Sequence, residues 1–190
     1  GSGAGNDAFV ARALTGENGR VIGIDMTVQM VEKAQTNAEK LGYQNVQFKL
    51  GEIEDMPLPP NTADVVVSNC VLNLVPNKKQ AFVEIYRILK PGGHFSISDV
   101  VITSELPVGL QQAAEMYAGC VAGASLKNDY LSQISEQGFE NITIQAEKPI
   151  SIPDDVLEKY LTESEVEALN KNGSIILSIT VYGEKPKHLG

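Results

Sequence analysis

Gly1-Ser2-Gly3-Ala4-Gly5 runs straight into the helical-looking stretch Asp7–Leu14, and Arg20-Val21-Ile22-Gly23-Ile24-Asp25 follows as a short strand ending in an acid. Three glycines in five residues let the backbone turn sharply and approach a ligand closely, because none carries a Cβ. The spacing fits G-x-G-x-G, looser than the full dinucleotide fingerprint, and a Gly-Ser-Gly start also fits an expression remnant. Asp25 decides between them. It stands twenty positions after Gly5, roughly the offset at which a ribose-binding carboxylate follows such a loop. Loop, helix, strand and terminal acid together predict a nucleoside site. In a doubly wound sheet an apolar strand, buried on both faces, precedes that loop. The sequence is therefore expected to continue upstream of Gly1, with the first central strand outside this chain.

Downstream, the hydrophobic period switches repeatedly between helix and strand. Val28–Leu41 places Met30, Val31, Ala34, Ala38 and Leu41 on one face, between a candidate N-cap at Thr27 and a stop at Gly42. Val46–Leu50 reads as a strand, and Gly51–Pro57 as a polar loop stiffened by Pro57, Pro59 and Pro60. Ala63–Ser68 is a near-continuous apolar run, the mark of a strand buried on both faces. Asn77–Leu89 is helical, Pro91-Gly92-Gly93 ends it, and His94–Asp99 is the next strand. This alternation predicts a parallel α/β sheet with right-handed crossovers. Beyond Val101 the expected elements are helices at 106–124 and 128–137, a strand at 141–152, a short helix at 154–160 and a last strand at 175–182. Residues 1–100 are expected to form a nucleoside-binding core. Residues 101–190 complete the same domain with substrate-lining helices and the last strands.

A chain of 190 residues with 43% hydrophobic content suits one domain with a sizeable core. Its net charge of −9 and pI near 4.7 argue against nucleic acid and anionic membrane as partners, since both require a basic face. No apolar run approaches the ~20 residues of a membrane span. Two cysteines are too few for a disulfide scaffold and fit a reducing, cytoplasmic setting.

Several segments taken together resemble the S-adenosylmethionine-dependent methyltransferases of the Rossmann-like class: the glycine turn, the strand-end Asp25, Glu52-Ile53-Glu54 and Leu89-Lys-Pro-Gly-Gly93. Three further segments are similar to the arsenite methyltransferases: Gly23-Ile-Asp-Met-Thr27, Ser68-Asn-Cys-Val-Leu-Asn-Leu-Val75 and Cys120-Val-Ala-Gly-Ala124. The resemblance extends over nearly the whole chain, to Ile179-Thr-Val-Tyr-Gly183. It departs in one respect, because the family carries a further cysteine upstream of the glycine loop. The implied fold is α/β, Rossmann-like and doubly wound, mostly parallel with an antiparallel last strand. The implied activity is methylation of trivalent arsenic (arsenic detoxification), with S-adenosylmethionine as cofactor and a thiol reductant as partner.

On that resemblance, Gly1, Gly3 and Gly5 pass under the amino-acid part of the cofactor. Asp25 accepts from both ribose hydroxyls, as a carboxylate with two oxygens can. Met26 lies against the adenine face, or else is a core methionine. Ile53 and Glu54 hold the adenine edge, although Glu52, Glu54 and Asp55 all offer acceptors and an acidic run also fits a solvated loop. Asn69, expected among the cofactor-binding residues, and Cys70 stand just past the carboxyl end of Ala63–Ser68, where open α/β sheets bind ligands. Cys70 and Cys120 are the expected arsenic ligands, because trivalent arsenic is thiophilic and two thiolates suit a soft centre. Its lone pair is the nucleophile, so no general base is needed. His188 lies in the tail, and His94 reads as a strand opener. After methyl transfer, cysteine thiols reduce the oxidised arsenic by forming a disulfide. Two alternatives stay open: a methyltransferase acting on carbon or oxygen, with both cysteines as small buried hydrophobes, and a non-catalytic cofactor-binding domain. Glu115, Met116 and Tyr117 either line the substrate cavity or pack on a helix face.

Overall fold

Asp25 and Leu50 end two parallel strands in register, β1 (Val21–Asp25) and β2 (Val46–Leu50). Parallel neighbours need a crossover, and here it is a helix. The computed structural model describes residues 1–117, 119–172 and 175–187, without the side chains of 117, 120 and 168–172. The predicted tail residue His188 and the side chains of Tyr117 and Cys120 lie outside the described residues. The chain forms two compact units, Gly1–Pro59 and Pro60–Gly190.

In the first unit, α1 (Asn6–Thr15) precedes β1, and α2 (Val28–Lys40) connects β1 to β2. Ala34 and Ala38, one turn apart, are the fully buried positions of α2, whereas Met30 and Leu41 of the predicted face are 38% and 52% exposed. Gly42, in the left-handed region at φ 71°, ends that helix. Thr27 is its N-cap residue but makes no side-chain cap bond. Ala8, Ala38 and Val46 form the core, with Phe9, Val21, Tyr43 and Phe48 against them. Phe9 and Phe48 meet edge to face at 5.9 Å.

The second unit carries a mixed sheet in the order β3-β4-β7-β6. Its strands are β3 (Ala63–Asn69), β4 (Leu89–Ile102), the two-residue β5 (Ser125–Leu126), β6 (Glu140–Pro149) and β7 (Ile176–Glu184). β3 and β5 run parallel to β4, whereas β7 is antiparallel to both β4 and β6. Its helices are α3 (Lys78–Ile88), α4 (Val108–Tyr117), α5 (Lys127–Glu136), α6 (Asp154–Leu157) and α7 (Glu163–Asn172). Asn77 caps α3 by accepting from the Gln80 amide at 3.1 Å. At its other end the buried Lys185 ammonium donates to the Tyr86 and Leu89 carbonyls at 2.9 and 2.7 Å.

Four sequence expectations change. The strand predicted at His94–Asp99 is the inner part of the longer β4. The single helix predicted over 106–124 breaks after Tyr117 into a 3-10 turn, Gly119–Val121, followed by β5. Gly119 and Gly123 interrupt the helical period there. β3 is not buried on both faces: Val65 and Val67 are 48% and 57% exposed. Among the described residues β3 pairs with β4 alone. Finally, α7 had no predicted counterpart. It opens on Thr162-Glu-Ser-Glu165, where the Glu165 carboxylate accepts from both the amide and the hydroxyl of Thr162.

Candidate functional site

The first unit folds its glycine turn onto the end of β1. Ser2 donates its amide to the Ile24 carbonyl at 2.8 Å, Gly1 donates to the same oxygen at 3.0 Å, and Gly5 closes the turn onto Ser2 at 3.0 Å. Gly3 and Gly5 adopt φ of 53° and 98°, a region that disfavours any Cβ. At Gly3 a Cβ would meet nothing within 4 Å, so this part of the turn faces open space. At Gly5 it would lie 2.7 Å from the Phe9 ring and 2.8 Å from the Phe48 ring. One glycine leaves room for a ligand, and the other leaves room for the core.

Asp25, 5% exposed, joins the segments. Its Oδ2 accepts the Gly3 amide at 2.8 Å and its Oδ1 accepts the Thr27 amide at 2.9 Å. Its carbonyl accepts the Gly51 amide at 3.0 Å. Burial alone would raise the carboxyl pKa; the two amides, joined by the Thr27 hydroxyl, outweigh it and hold Asp25 below the usual carboxylate range. One lone pair of each oxygen is thus committed to the backbone and the Thr27 hydroxyl takes a further one, leaving the remainder for a ligand. Ile53 and Glu54 are the central residues of a tight turn between Glu52 and Asp55, anchored through Gly51. Met26 is 68% exposed, which excludes the core-methionine alternative. The structure therefore brings together Gly1, Gly3, Gly5, Asp25, Met26 and the Ile53–Glu54 turn.

In the second unit Cys70 terminates β3. It is exposed, its amide donates to the Ser98 carbonyl of β4 at 2.9 Å, and its φ is 55°. A left-handed residue with a Cβ costs roughly 1–2 kcal/mol, and such strain collects at functional sites. Asn69, also exposed, pairs with Ser98 in the ladder. β5 continues on the same side of β4, starting opposite Val101. The end of β3 lies opposite Ser98 and the start of β5 opposite Val101, three positions further along β4 and roughly 10 Å away at the strand rise.

That gap is filled by polar groups. Asp99, 1% exposed, accepts from the Val100 amide at 3.2 Å and from the Tyr130 hydroxyl at 3.3 Å. The Leu72 amide and the charge of Lys78 also act on it. Burial dominates nevertheless and pushes its pKa up to about 6. Burial, reinforced by the Asp99 charge, likewise raises the Tyr130 hydroxyl well above its ordinary value, with the thiolate form of Cys70 adding to it. Asn73 donates its amide to the Val100 carbonyl at 2.7 Å, while its buried Oδ1 has no partner among the described residues.

Gly123 binds the Cys120 segment to this edge. A Cβ there would sit 1.9 Å from the Asn73 carbonyl oxygen, so nothing larger than glycine permits the approach. The Lys78 ammonium donates to the Gly123 carbonyl at 2.5 Å. Val121, 4% exposed, anchors the adjoining 3-10 turn in the core beneath α4. The Cys70 turn and the backbone of Gly119–Gly123 are thus neighbours. His94 packs against Tyr182, with ring centroids 5.2 Å apart. Glu115 accepts from Gln111 at 3.0 Å, and Met116 is 70% exposed.

Residues 1–138 match the family described as "Methyltransferase domain". The chain belongs to this methyltransferase family. An arsenite methyltransferase of Halobacterium salinarum is 41% identical over 98% of the chain and 45% of its own length. The human arsenite methyltransferase is 38% identical over 85% of the chain and 45% of its length. The chain thus spans about half the length of these relatives. Among solved structures, an arsenic(III) S-adenosylmethionine methyltransferase from Chlamydomonas reinhardtii superposes with a TM-score of 0.79. It is 34% identical, over 98% of this chain and 62% of that one. The YcgJ protein of Bacillus subtilis, at 19% identity and a TM-score of 0.77, shows the same fold. The Rossmann-like methyltransferase fold expected from the sequence is therefore present.

The sequence reading assigned no role to Asp99, Tyr130, Asn73 or Lys78, and took Gly123 only as a flank of Cys120. Asp99 had a visible signal, an acid followed by Val100-Val-Ile102 inside a strand. The others gain meaning only from the packing of the two turns.

Proposed function

We propose that this chain carries an S-adenosylmethionine-dependent methyltransferase activity toward trivalent arsenic, with Cys70 and Cys120 as the arsenic ligands. The observation that carries this reading is the meeting of two cysteine-bearing turns at one edge of β4. Cys70 is held there in a left-handed conformation, and the Cys120 turn is brought in by Gly123. Four features fit the cofactor: the open face of Gly3, the uncommitted lone pairs of Asp25, the exposed Met26 beside it, and the Ile53–Glu54 turn tied to the same strand end. When bound, S-adenosylmethionine supplies an electrophilic methyl group on a positively charged sulfur.

The chain's own residues bind and orient the substrate. Arsenous acid exchanges two As–O bonds for As–S bonds to Cys70 and Cys120, and each exchange releases water as the thiol proton leaves with hydroxide. Arsenic then sits as a soft centre with its lone pair unshared, so no general base has to create the nucleophile. Catalysis rests on positioning, which two ligands from separate turns supply. A thiol reductant and a reducing cytoplasmic setting complete the reading. No helix among the described residues is long and apolar enough to cross a membrane.

The test is mass spectrometry of arsenic species after incubation of the protein with arsenite, S-adenosylmethionine and a small thiol. Methylated arsenic from the parent, and its loss in Cys70→Ser and Cys120→Ser, is the expected result. Cofactor binding without methylated arsenic would refute arsenic as the substrate.

A further inference from the structure

We propose that Lys78 is a positioning residue, whose ammonium draws the Gly123 carbonyl in and holds the Cys120 turn at its working distance from Cys70. The inference rests on the reading of both cysteines as arsenic ligands. Its geometry is independent of that reading. Lys78 is the first residue of α3, in the segment that follows the Cys70 turn. It reaches across 45 positions of sequence to the Gly123 carbonyl, at 2.5 Å. That carbonyl belongs to the one residue whose missing Cβ lets the Cys120 segment touch the Asn73 backbone. Asn73 in turn is tied to β4 through the Val100 carbonyl at 2.7 Å. The chain of contacts runs from β4 through Asn73 to Gly123, and Lys78 closes it from the outside.

Two sulfurs that share one arsenic must lie within a narrow range of separations, whereas a thiol reacting alone has no such requirement. Lys78 therefore governs two-thiol chemistry and leaves one-thiol chemistry untouched. A hydrogen bond from a charged donor to a half-buried carbonyl, once removed, weakens the arrangement it holds by roughly tenfold to a hundredfold.

The experiment uses the full chain and phenylarsine oxide, an arsenical that bridges two thiols. Its affinity is measured by calorimetry for the parent, Lys78→Met, Lys78→Gln and Lys78→Arg. The alkylation rates of the cysteines with iodoacetamide, read by mass spectrometry, are measured alongside. Support is a loss of roughly tenfold or more in Lys78→Met and Lys78→Gln, alkylation rates unchanged, and recovery in Lys78→Arg, which keeps a charged donor. Affinity within twofold of the parent in both Lys78→Met and Lys78→Gln overturns the inference. So does a loss of affinity matched by an equal change in alkylation, which marks general unfolding of the site. Cys70→Ser and Cys120→Ser separate the two levels. If both bind phenylarsine oxide as the parent does, the cysteine reading fails and the inference with it. If both lose binding and the Lys78 variants do not, the inference alone fails.

Discussion

Asp99→Asn isolates what a buried carboxylate costs this fold. Asp99 is 1% exposed, and its pKa stands at about 6 against an ordinary value of 3.8. Burial is the main cause, opposed in part by the Val100 amide, Tyr130 and Lys78. A raised carboxyl pKa means that the folded state holds its proton more tightly than the unfolded state. Stability from this group is therefore greatest at low pH and falls as pH rises through 3.8 toward 6. A rise of about two pH units, at about 1.36 kcal/mol each, gives a cost of about 3 kcal/mol above pH 7. About 2 kcal/mol of that develops between pH 4.5 and 7. Asparagine keeps the shape and accepts from Tyr130, but has nothing to titrate. Chemical denaturation of parent and Asp99→Asn at both pH values measures the difference, and other titrating groups cancel in it. Asp99→Asn is expected to gain about 2 kcal/mol on the parent between pH 4.5 and 7. A stability difference independent of pH would refute the reasoning.

Other positions give sharper contrasts. Asp25→Asn leaves the Gly3 or Thr27 amide facing an NH2 group, and is expected to cost about 1.5–3 kcal/mol in denaturation at pH 7. Because the Asp25 pKa is held low, that contribution is present above pH 3.8 and fades as pH falls below it. Gly3→Ala costs about 1 kcal/mol of stability through its positive φ, but blocks S-adenosylmethionine binding in calorimetry, since its Cβ enters open space. Gly5→Ala, whose Cβ meets the Phe9 ring at 2.7 Å, is expected to destabilise by a further 1–3 kcal/mol or about that. Cys70→Asn relieves a left-handed residue and is expected to raise stability by about 1 kcal/mol while abolishing arsenic binding.

The parallel core was legible because apolar period and turn chemistry are local. Glycine turn, helix, β1 and α2 stand within a residue or two of their predicted places. Local signals fail where packing decides. The period over 106–124 is helical enough to suggest one helix, and nothing near Gly123 announces that Asn73, fifty positions away, occupies its Cβ position. The acid at Asp99 stood in plain view within β4, yet its partner Tyr130 lies on α5, so the buried pair is invisible without the fold. The residues expected to hold the cofactor in the first unit gather at one strand end because Asp25 accepts from the backbones of Gly3, Thr27 and Gly51. For Cys70 the strand end was readable, but the left-handed conformation that marks it was not.

The central claim is that two cysteines of this chain share one arsenic, and X-ray absorption at the arsenic edge tests it most directly. The protein is loaded with arsenite without added thiol, as parent, Cys70→Ser and Cys120→Ser. Two sulfur neighbours per arsenic are expected in the parent and one in each variant. An arsenic surrounded by oxygen alone in the parent, or an unchanged sulfur count in the variants, would contradict it.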